Sequence, residues 1–455
     1  MTLPRTDPEP MRQRRKKILA LALPIIGGMV SQNVLNLVDT AMVGTLGDAA
    51  LAAVGTGSFA NFLAMAFIMG LSAGVQAMVA RRLGEGRKAE VAVPLNGALI
   101  LAASMALPAS IVLYFLVPAV FPVLNADPEV AAAGVPYLQW RLMAMVAVGM
   151  NFAFRGYWNG VSMSGMYLRT LLVMHAANIG LNWLLIFGNL GMPALGAEGA
   201  GLASTISTYV GTAYYVWLAM QHARDGGFLR GLPSRESLRT MLRLSVPNGL
   251  QQTSMAGSLV ALFWIIGHSD PDPTTATSLV AAANVVINVT LVALLPGMGL
   301  GLTAASLVGQ ALGRGDPEDA SRWGHDVARV ASVGLGALGL PMVLVPDLIL
   351  GVFLHDPATL DLARTPLRLV GAVMAIDGVG MVYINALLGA GASRSVMVVA
   401  VLVQWGVFLP AAYVIGPVLG AGLTALWAAQ GGYRVLLAVI VGVMWRRGGW
   451  RSIIV

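Results

Sequence analysis

The chain has 455 residues, of which 57% are hydrophobic and 11% charged, whereas soluble domains carry about 25% charged residues. This composition is typical of a membrane protein and excludes an ordinary soluble domain. The net charge of +7 comes from short basic clusters between apolar runs, so we expect no binding to nucleic acid. The absence of cysteine excludes disulfides, thiolate metal sites and cysteine nucleophiles.

A membrane helix needs about 20 apolar residues to cross a hydrocarbon core of about 30 Å. The sequence predicts twelve such helices, because its apolar runs are continuous and do not alternate as the strands of a β-barrel would. In the first half the predicted spans are 17–44, 51–80, 93–122, 130–160, 168–190 and 198–221. In the second half they are 240–267, 277–312, 326–353, 366–391, 395–416 and 420–445.

Lysine and arginine in the loops predict the orientation, since basic loops stay on the cytoplasmic side. Basic loops such as "RRLGEGRK" at 81–88 alternate with loops such as "LNADPEV" at 124–130, a set in which Arg364 and Arg368 are the basic exceptions. We therefore expect a multi-pass protein of the bacterial inner membrane with both termini cytoplasmic. The expected divisions are a tail at 1–16, an N-lobe at 17–221, a cytoplasmic linker at 222–239, a C-lobe at 240–445 and a tail at 446–455.

The two halves repeat one another. "GLSAGVQAMVARRLGEGR", which starts at Gly70, matches "GLGLTAASLVGQALGRGD", which starts at Gly299. Six helices per repeat give both halves the same orientation, and a pseudo-symmetric pair of this kind encloses a cavity at its interface. No GxxxxGK[ST] motif occurs, so the energy for any transport has to come from an ion gradient.

Asp39 lies in the first predicted span, which carries no other charged residue from Ile18 to Val43. An ionised carboxylate inside a bilayer is costly and usually faces the bundle interior or a water-filled cavity. At about 100° per residue, one helix face collects Gln32, Asn36, Asp39 and Thr40. The sequence therefore predicts a polar stripe that ends in an acid.

The fifth predicted span carries a second polar face, formed by His175, Asn178 and Asn182 at i, i+3 and i+7. Ser204 and Ser207 in the sixth span add hydroxyl oxygens. A site made of Asp39, Asn178, Asn182 and Ser204 would offer one negative charge and several oxygen ligands. This set suits either a sodium ion or a titrating proton.

The second half carries one comparable acid, Asp377, in the tenth predicted span. The one cation in that span is Arg368, at its outer end. Nearby polar candidates in other spans are Asn284, Asn288 and Gln251. Gly378 and Gly380 leave room for another helix or a ligand to approach Asp377 closely.

Structural alternatives stand beside these interpretations. Asn and Gln side chains often join membrane helices only as hydrogen-bonding groups, and His175 fits a structural or interfacial position. Arg141, in the fourth predicted span, is the cation best placed by sequence to pair with Asp39.

Several stretches, in this order, resemble the multidrug and toxic compound extrusion (MATE) family of cation-coupled antiporters. They are "LPIIGGMVSQNVLNLVDTAMVGTLG", "LAAVGTGS", "NIGLNWLLIFGNLGMPALGAEGAGLAS" and "LLPGMGLGLTAASLVGQALGRGD". The resemblance covers nearly the whole chain. It implies an all-α fold of two pseudo-symmetric six-helix lobes around a central cleft, and efflux by rocking between outward-open and inward-open states.

The resemblance also implies roles for particular residues. The N-lobe cation-coupling acid falls on Asp39, with Asn178, Asn182 and Ser204 at its companion positions. Asp39, Asn178 and Asn182 would be the metal ligands if the coupling ion is Na⁺. Asp377 falls where one bacterial branch has a C-lobe acid.

Two positions depart from the family pattern. Met255 stands where that bacterial branch has a glutamate, and Asn182 stands where other members have an aspartate. We therefore place the cation coupling at Asp39, supported by Asn36 and Gln32. Asp377 is interpreted as a second titrating site or a determinant of substrate charge, with Asn284, Asn288 and Gln251 as neighbours.

The functional hypothesis is a secondary active antiporter that exports organic, cationic and amphipathic compounds in exchange for H⁺ or Na⁺. Flexible methionine side chains, 24 in this chain, suit walls that accept varied apolar molecules. We expect no enzymatic activity, no catalytic residue and no cofactor beyond the coupling ion. The lipid bilayer and small organic substrates are the expected partners, and the monomer is the expected functional unit.

Three other functions compete with this hypothesis. A lipid-linked oligosaccharide flippase would need several arginines in the spans, and few are present. An intramembrane enzyme would need a metal cluster or an activated nucleophile, yet His175 is the one histidine well inside a span. If the protein is a membrane scaffold or an uncoupled channel, no exchange that depends on Asp39 or Asp377 is expected.

Overall fold

The structure is a computed structural model that describes residues 10–453, so parts of both predicted tails lie outside the described residues. Within this range the regular structure is helical throughout. The first half forms α1 (Met11–Gly44), α2 (Asp48–Met65), α3 (Leu71–Gly84), α4 (Val93–Leu124), α5 (Pro128–Met143), α6 (Met145–Gly160), α7 (Ser164–Leu185) and α8 (Gly196–His222). The second half forms α9 (Arg235–Gly267), α10 (Pro273–Gly313), α11 (Pro317–Leu344), α12 (Pro346–Leu350), α13 (Pro357–Gly389), α14 (Ser393–Val403), α15 (Leu409–Tyr413) and α16 (Gly422–Arg447).

Each predicted span corresponds to one helix or to a short series of helices, which confirms the all-helical, twelve-span fold. The second span is the pair α2 and α3, which meet at a bend of 51°. The fourth span is broken into α5 and α6 at Ala144, and the ninth continues from α11 into the short α12. The eleventh widens into π-helical turns at Gln404–Phe408 and Val414–Val418.

Eight helices in the described residues are long and apolar enough to cross a membrane, and the bent α2–α3 pair would make a ninth. α7 and α8 fall outside this group, because their sequences are interrupted by Asn, His, Ser and Thr. Both helices carry residues that the sequence assigns to the cation site.

Several helices begin earlier than predicted. α11 begins at Pro317 and α13 at Pro357, whereas the predicted spans begin at 326 and 366. The cause is an Asp-Pro start, in which the aspartate accepts a backbone N–H and proline occupies the first turn. Asp316 accepts from the Asp319 amide at 2.8 Å, and Asp356 from the Thr359 amide at 2.9 Å. Hydropathy locates the apolar part of a helix and misses its polar first turns.

The chain divides into two compact units. Unit 1 comprises the described residues of Met1–Ile26 and Thr253–Val455, and unit 2 comprises Gly27–Gln252. The chain passes from one unit to the other inside α1 and inside α9, whereas the sequence places the lobe boundary in the linker at 222–239. The lobes at 17–221 and 240–445 remain a prediction.

The start of α1 is held within unit 1 by a buried arginine. Arg14 donates from Nε to Asp326 at 2.6 Å and from Nη1 to Asp319 at 2.6 Å. Its guanidinium also lies 3.6 Å from the centre of the Trp323 ring. Two carboxylates and an aromatic face together balance the charge of a side chain that is only 5% exposed.

α13 is the central helix of unit 1 and packs against α10, α11 and α16. Its crossing with α11 is formed by two glycines, Gly371 and Gly339. A Cβ on Gly371 would lie 2.6 Å from the carbonyl oxygen of Gly339 and 2.9 Å from the Cβ of Met342. The helices therefore approach to a distance that only glycine permits.

We expect Gly371→Ala to lower the thermal stability of the purified protein, because the added methyl group overlaps the α11 backbone and overpacking costs about 1–3 kcal/mol. The matched control is Gly334→Ala on α11, where no atom lies within 4 Å of the new Cβ. That control should be neutral or stabilising by up to about 1 kcal/mol, since alanine favours helix more than glycine. The measurement is the melting midpoint in detergent, and a Gly371→Ala midpoint at or above that of the control would contradict the packing described here.

Candidate functional site

Asp39 lies on α1 against α7, in unit 2. It is half-buried, and its Oδ1 accepts a hydrogen bond from the Nδ2 of Asn182 at 2.6 Å. Asn182 is completely buried. A bond this short between an amide and a carboxylate is of the charge-assisted kind, which is stronger than a bond between neutral groups.

The hydrogen bonds continue from Asn182 into the bundle. Its Nδ2 also donates to Asn178 Oδ1 at 3.2 Å. Asn178 in turn donates to Ser204 Oγ at 3.3 Å and to Ser207 Oγ at 3.4 Å on α8. Asp39, Asn182, Asn178, Ser204 and Ser207 thus form one acid–amide chain that joins α1, α7 and α8. The structure brings together the four residues that the sequence assigned to the centre of the N-lobe cation site.

Gln32 and Asn36 form a separate pair beside this chain. Gln32 donates to Asn36 Oδ1 at 3.3 Å, and its Oε1 lies 3.3 Å from His175 Nε2. Within residues 10–453, no hydrogen bond joins either of them to Asp39. Their share in the cation site remains a prediction, while His175 has a structural contact to α1, in line with the structural alternative.

Arg141 does not pair directly with Asp39. The described residues contain no hydrogen bond or ion pair between the two side chains, although Arg141 is near enough to act on the acid through its charge. The Arg141 Nε is buried and has no hydrogen-bond partner among the described residues. The immediate partner of Asp39 is therefore an amide and not a cation.

This arrangement leaves the charge of Asp39 without a bonded counter-charge. An amide stabilises a carboxylate by hydrogen bonding but does not neutralise it, and an unneutralised acid inside a membrane is unfavourable. Asn182 Oδ1 is buried and accepts no hydrogen bond from the described residues. Carboxylate, amide and hydroxyl oxygens are the ligands that hard cations prefer, and Asp39, Asn182 and Ser204 each carry one of these groups.

Acidic and histidine side chains alone do not form a metal site in the described residues. In the part of the chain that the structure describes, no group of three or more His, Asp or Glu side chains is placed to hold a metal ion. A sodium ion at Asp39 would thus have to rely on the amide and hydroxyl oxygens of Asn182, Asn178 and Ser204.

Asp377, the acid of the tenth span, has a cationic partner that the sequence did not indicate. Arg434 on α16 donates from Nη1 to Asp377 Oδ2 at 2.9 Å. The sequence offered only Arg368, because residues on one helix say nothing about the register of its neighbours. The Asp377 side chain is 7% exposed and that of Arg434 is 25% exposed.

Close helix packing explains why the two charges meet. A Cβ on Gly380 would lie 3.1 Å from the Cβ of Ala438, so α13 and α16 touch one turn beyond the ion pair. A Cβ on Gly378 would lie 2.9 Å from the carbonyl oxygen of Ala331 on α11. The glycines beside Asp377 therefore admit neighbouring helices.

The other polar residues proposed around Asp377 are not hydrogen-bonded to it in the described residues. Asn288 donates to Asn284 Oδ1 at 2.9 Å along α10, and both side chains are exposed. Gln251 falls within the residues of unit 2, and Met255, at the departure from the family pattern, is 54% exposed. A second site composed of these residues remains a prediction.

The part of the chain that the structure describes has helices as its only regular structure, carries eight long apolar helices and holds an acid by a buried amide, which together define a multi-pass membrane protein. The family model described as MatE matches residues 24–184 and 250–414, more than two thirds of the chain. The chain therefore belongs to the MATE family of transporters.

Individual relatives agree with this assignment. The chain is 30% identical to "Probable multidrug resistance protein NorM" of Brucella suis biovar 1, over 96% of this chain and 94% of the relative. It shares its fold with a MOP superfamily transporter from Pyrococcus furiosus, with a TM-score of 0.87 and 20% identity over 99% of this chain and 100% of the other. An outward-facing multidrug resistance MATE family transporter gives a TM-score of 0.85 and 21% identity over 97% and 98% of the two chains.

Double-mutant cycles on thermal stability test which side chain is the partner of Asp39. We expect Asp39→Ala and Asn182→Ala to show a coupling energy of about 0.5 to 1.5 kcal/mol, because they remove the same hydrogen bond. The matched cycle of Asp39→Ala with Arg141→Met should give less than about 0.5 kcal/mol, since no direct bond joins that pair. A larger coupling to Arg141 than to Asn182 would show that the arginine is the partner.

Proposed function

We propose that the chain is a multidrug efflux transporter that exports small organic compounds in exchange for a monovalent cation. The observation that carries this proposal is the bonding of Asp39, an intramembrane acid whose hydrogen-bond partner is the amide of Asn182 at 2.6 Å. Membership of the MATE family and the multidrug resistance names of the relatives support the transport of varied compounds. We propose a transporter without enzymatic activity or resident cofactor.

Coupling follows from where the cation binds. A cation at Asp39 removes the charge that Asn182 stabilises, and so alters the hydrogen bonds that join α1 to α7 and α8. A bound ligand shifts a conformational equilibrium only by its difference in affinity for the two states. Cation and substrate must therefore prefer opposite states, and the arrival of one favours release of the other.

We favour H⁺ over Na⁺ as the coupling ion. Asn182 presents its Nδ2 to Asp39, so the acid is bonded to a donor and not to a second carboxylate. One proton neutralises one carboxylate, whereas a sodium ion also needs several oxygen ligands in a fixed geometry. Met255, which replaces a second acid of the related branch, leaves fewer charged ligands for Na⁺.

The remaining parts of the proposal concern substrate and location. A carboxylate favours cationic molecules, so we propose cationic, amphipathic compounds as the substrates. We propose that the protein acts as a monomer in the bacterial inner membrane, with both termini in the cytoplasm. The basic clusters on one side of the predicted spans support that orientation.

We expect Asp39→Asn to abolish cation-driven export while leaving the fold intact, because asparagine keeps the shape and cannot bind or release the coupling cation. The matched control is Asp48→Asn, an exposed acid in the first turn of α2, which should export at the wild-type rate. The measurement is dye transport in proteoliposomes under separately imposed pH and Na⁺ gradients. Wild-type protein should respond to the pH gradient.

Two outcomes would contradict the proposal. Export by Asp39→Asn at the wild-type rate would remove the coupling role from Asp39. Wild-type export that responds to Na⁺ and not to pH would exclude H⁺ as the coupling ion.

A further inference from the structure

The two intramembrane acids have different partners. Asp39 is half-buried and bonds to an amide, whereas Asp377 is buried and bonds to the guanidinium of Arg434. An amide leaves the charge of its partner unchanged. A guanidinium stays protonated under all ordinary conditions and carries a fixed positive charge. The acid in unit 1 is therefore already balanced, and the acid in unit 2 is not.

Within the described residues, Arg434 is the one charged side chain bonded to Asp377. Of the helices packed against α13, α10 carries no charged residue and α11 carries none after Arg329. The other charged residues of helices that contact α13 are Arg394 on α14, Arg446 and Arg447 in the last turn of α16, and Asp347 on α12, which pairs with Arg364. Among the described residues, Arg434 is the charged group that acts on Asp377. The titratable groups nearby are the hydroxyl of Tyr433, next to both charges, and His325, which bonds to Tyr383 at 2.9 Å further along α13.

Packing on both sides holds the pair in place. Beyond it, Gly380 touches Ala438, and the Tyr383 ring stacks on Trp445 with centroids 5.8 Å apart. Before it, the Tyr433 ring stacks on Phe408 at 5.1 Å. The crossing of α13 and α16 is thus held by small residues and by the Tyr383–Trp445 stack, while the Tyr433–Phe408 stack joins α16 to the π-helical turn of the eleventh span.

We propose that Arg434 is a positioning residue that holds Asp377 in a permanent ion pair, so that Asp377 takes no part in cation coupling. Resting on the proposed function, this inference means that each transport cycle moves one monovalent cation, through Asp39 alone. It replaces the interpretation of Asp377 as a second titrating site or a determinant of substrate charge.

The first test compares single and double variants of the pair in the full-length protein. Removing one partner of a buried ion pair leaves the other charge buried and unpaired, which is strongly destabilising. Replacing both partners often leaves the stability unchanged. We expect Asp377→Asn and Arg434→Gln each to reduce dye export to about a tenth of wild type or less, and the double variant to recover to within about twofold. The ratio of cations to dye molecules should stay at one in the double variant.

A double variant as inactive as Asp377→Asn would overturn the proposal, because a titrating or substrate-binding acid cannot be rescued by removing an arginine. A cation-to-dye ratio of two in the wild type would also overturn it.

The second test does not depend on transport, and its wild-type measurement does not depend on the folding of any variant. Dicyclohexylcarbodiimide reacts with protonated carboxyl groups in apolar surroundings, and mass spectrometry locates its adducts. In the wild-type protein we expect labelling at Asp39 and none at Asp377. In Arg434→Gln, labelling should appear at Asp377. If Asp377 in the wild-type protein is labelled as fast as Asp39, the ion-pair proposal is overturned, whether or not the protein exports dye. If Asp377 stays unlabelled but the protein exports no dye, the result contradicts the proposed function and leaves the ion pair standing.

Discussion

A charge inside a hydrocarbon layer has to be balanced within the layer, and this requirement applies to both intramembrane acids, Asp39 and Asp377. Asp377 meets it with Arg434, at 2.9 Å. Among the described residues, the hydrogen-bond partner of Asp39 is the amide of Asn182, and under the proposed function a small cation that binds and leaves balances its charge. One physical constraint is met in two ways, by an ion pair at Asp377 and by an amide at Asp39.

Polar side chains and small side chains have complementary uses in this fold. The amides and hydroxyls of α7 and α8 lower the hydropathy of those helices, but they join α1 to the bundle through a continuous set of hydrogen bonds. In unit 1 the glycines of α13 bring backbones together, and van der Waals packing supplies the cohesion. Neither device relies on the hydrophobic effect, which distinguishes little between a helix neighbour and a lipid chain.

Much of this arrangement could be predicted from the sequence, because helices and their faces are local properties. The spacing of Asn178 and Asn182 defines one face of α7, and Asp39 ends the stripe on α1. The family motifs indicated that these faces meet. Contacts between helices that no family motif indicated could not be predicted from the sequence. The ion pair of Arg434 with Asp377 follows from the register of two helices that are not adjacent in sequence. The early starts of α11 and α13 escaped prediction because hydropathy does not register polar caps.

The separation of Asp377 and Arg434 by 57 positions has a consequence for biosynthesis. At about 5 to 20 residues per second, α13 emerges from the ribosome roughly 3 to 11 seconds before Arg434 is made. During that interval the translocon has to accept a helix whose acid has no counter-ion, at a cost of about 3 kcal/mol for an aspartate at the centre of a helix. The apolar residues of α13 offset this cost until α16 follows, so a later helix completes the insertion of an earlier one.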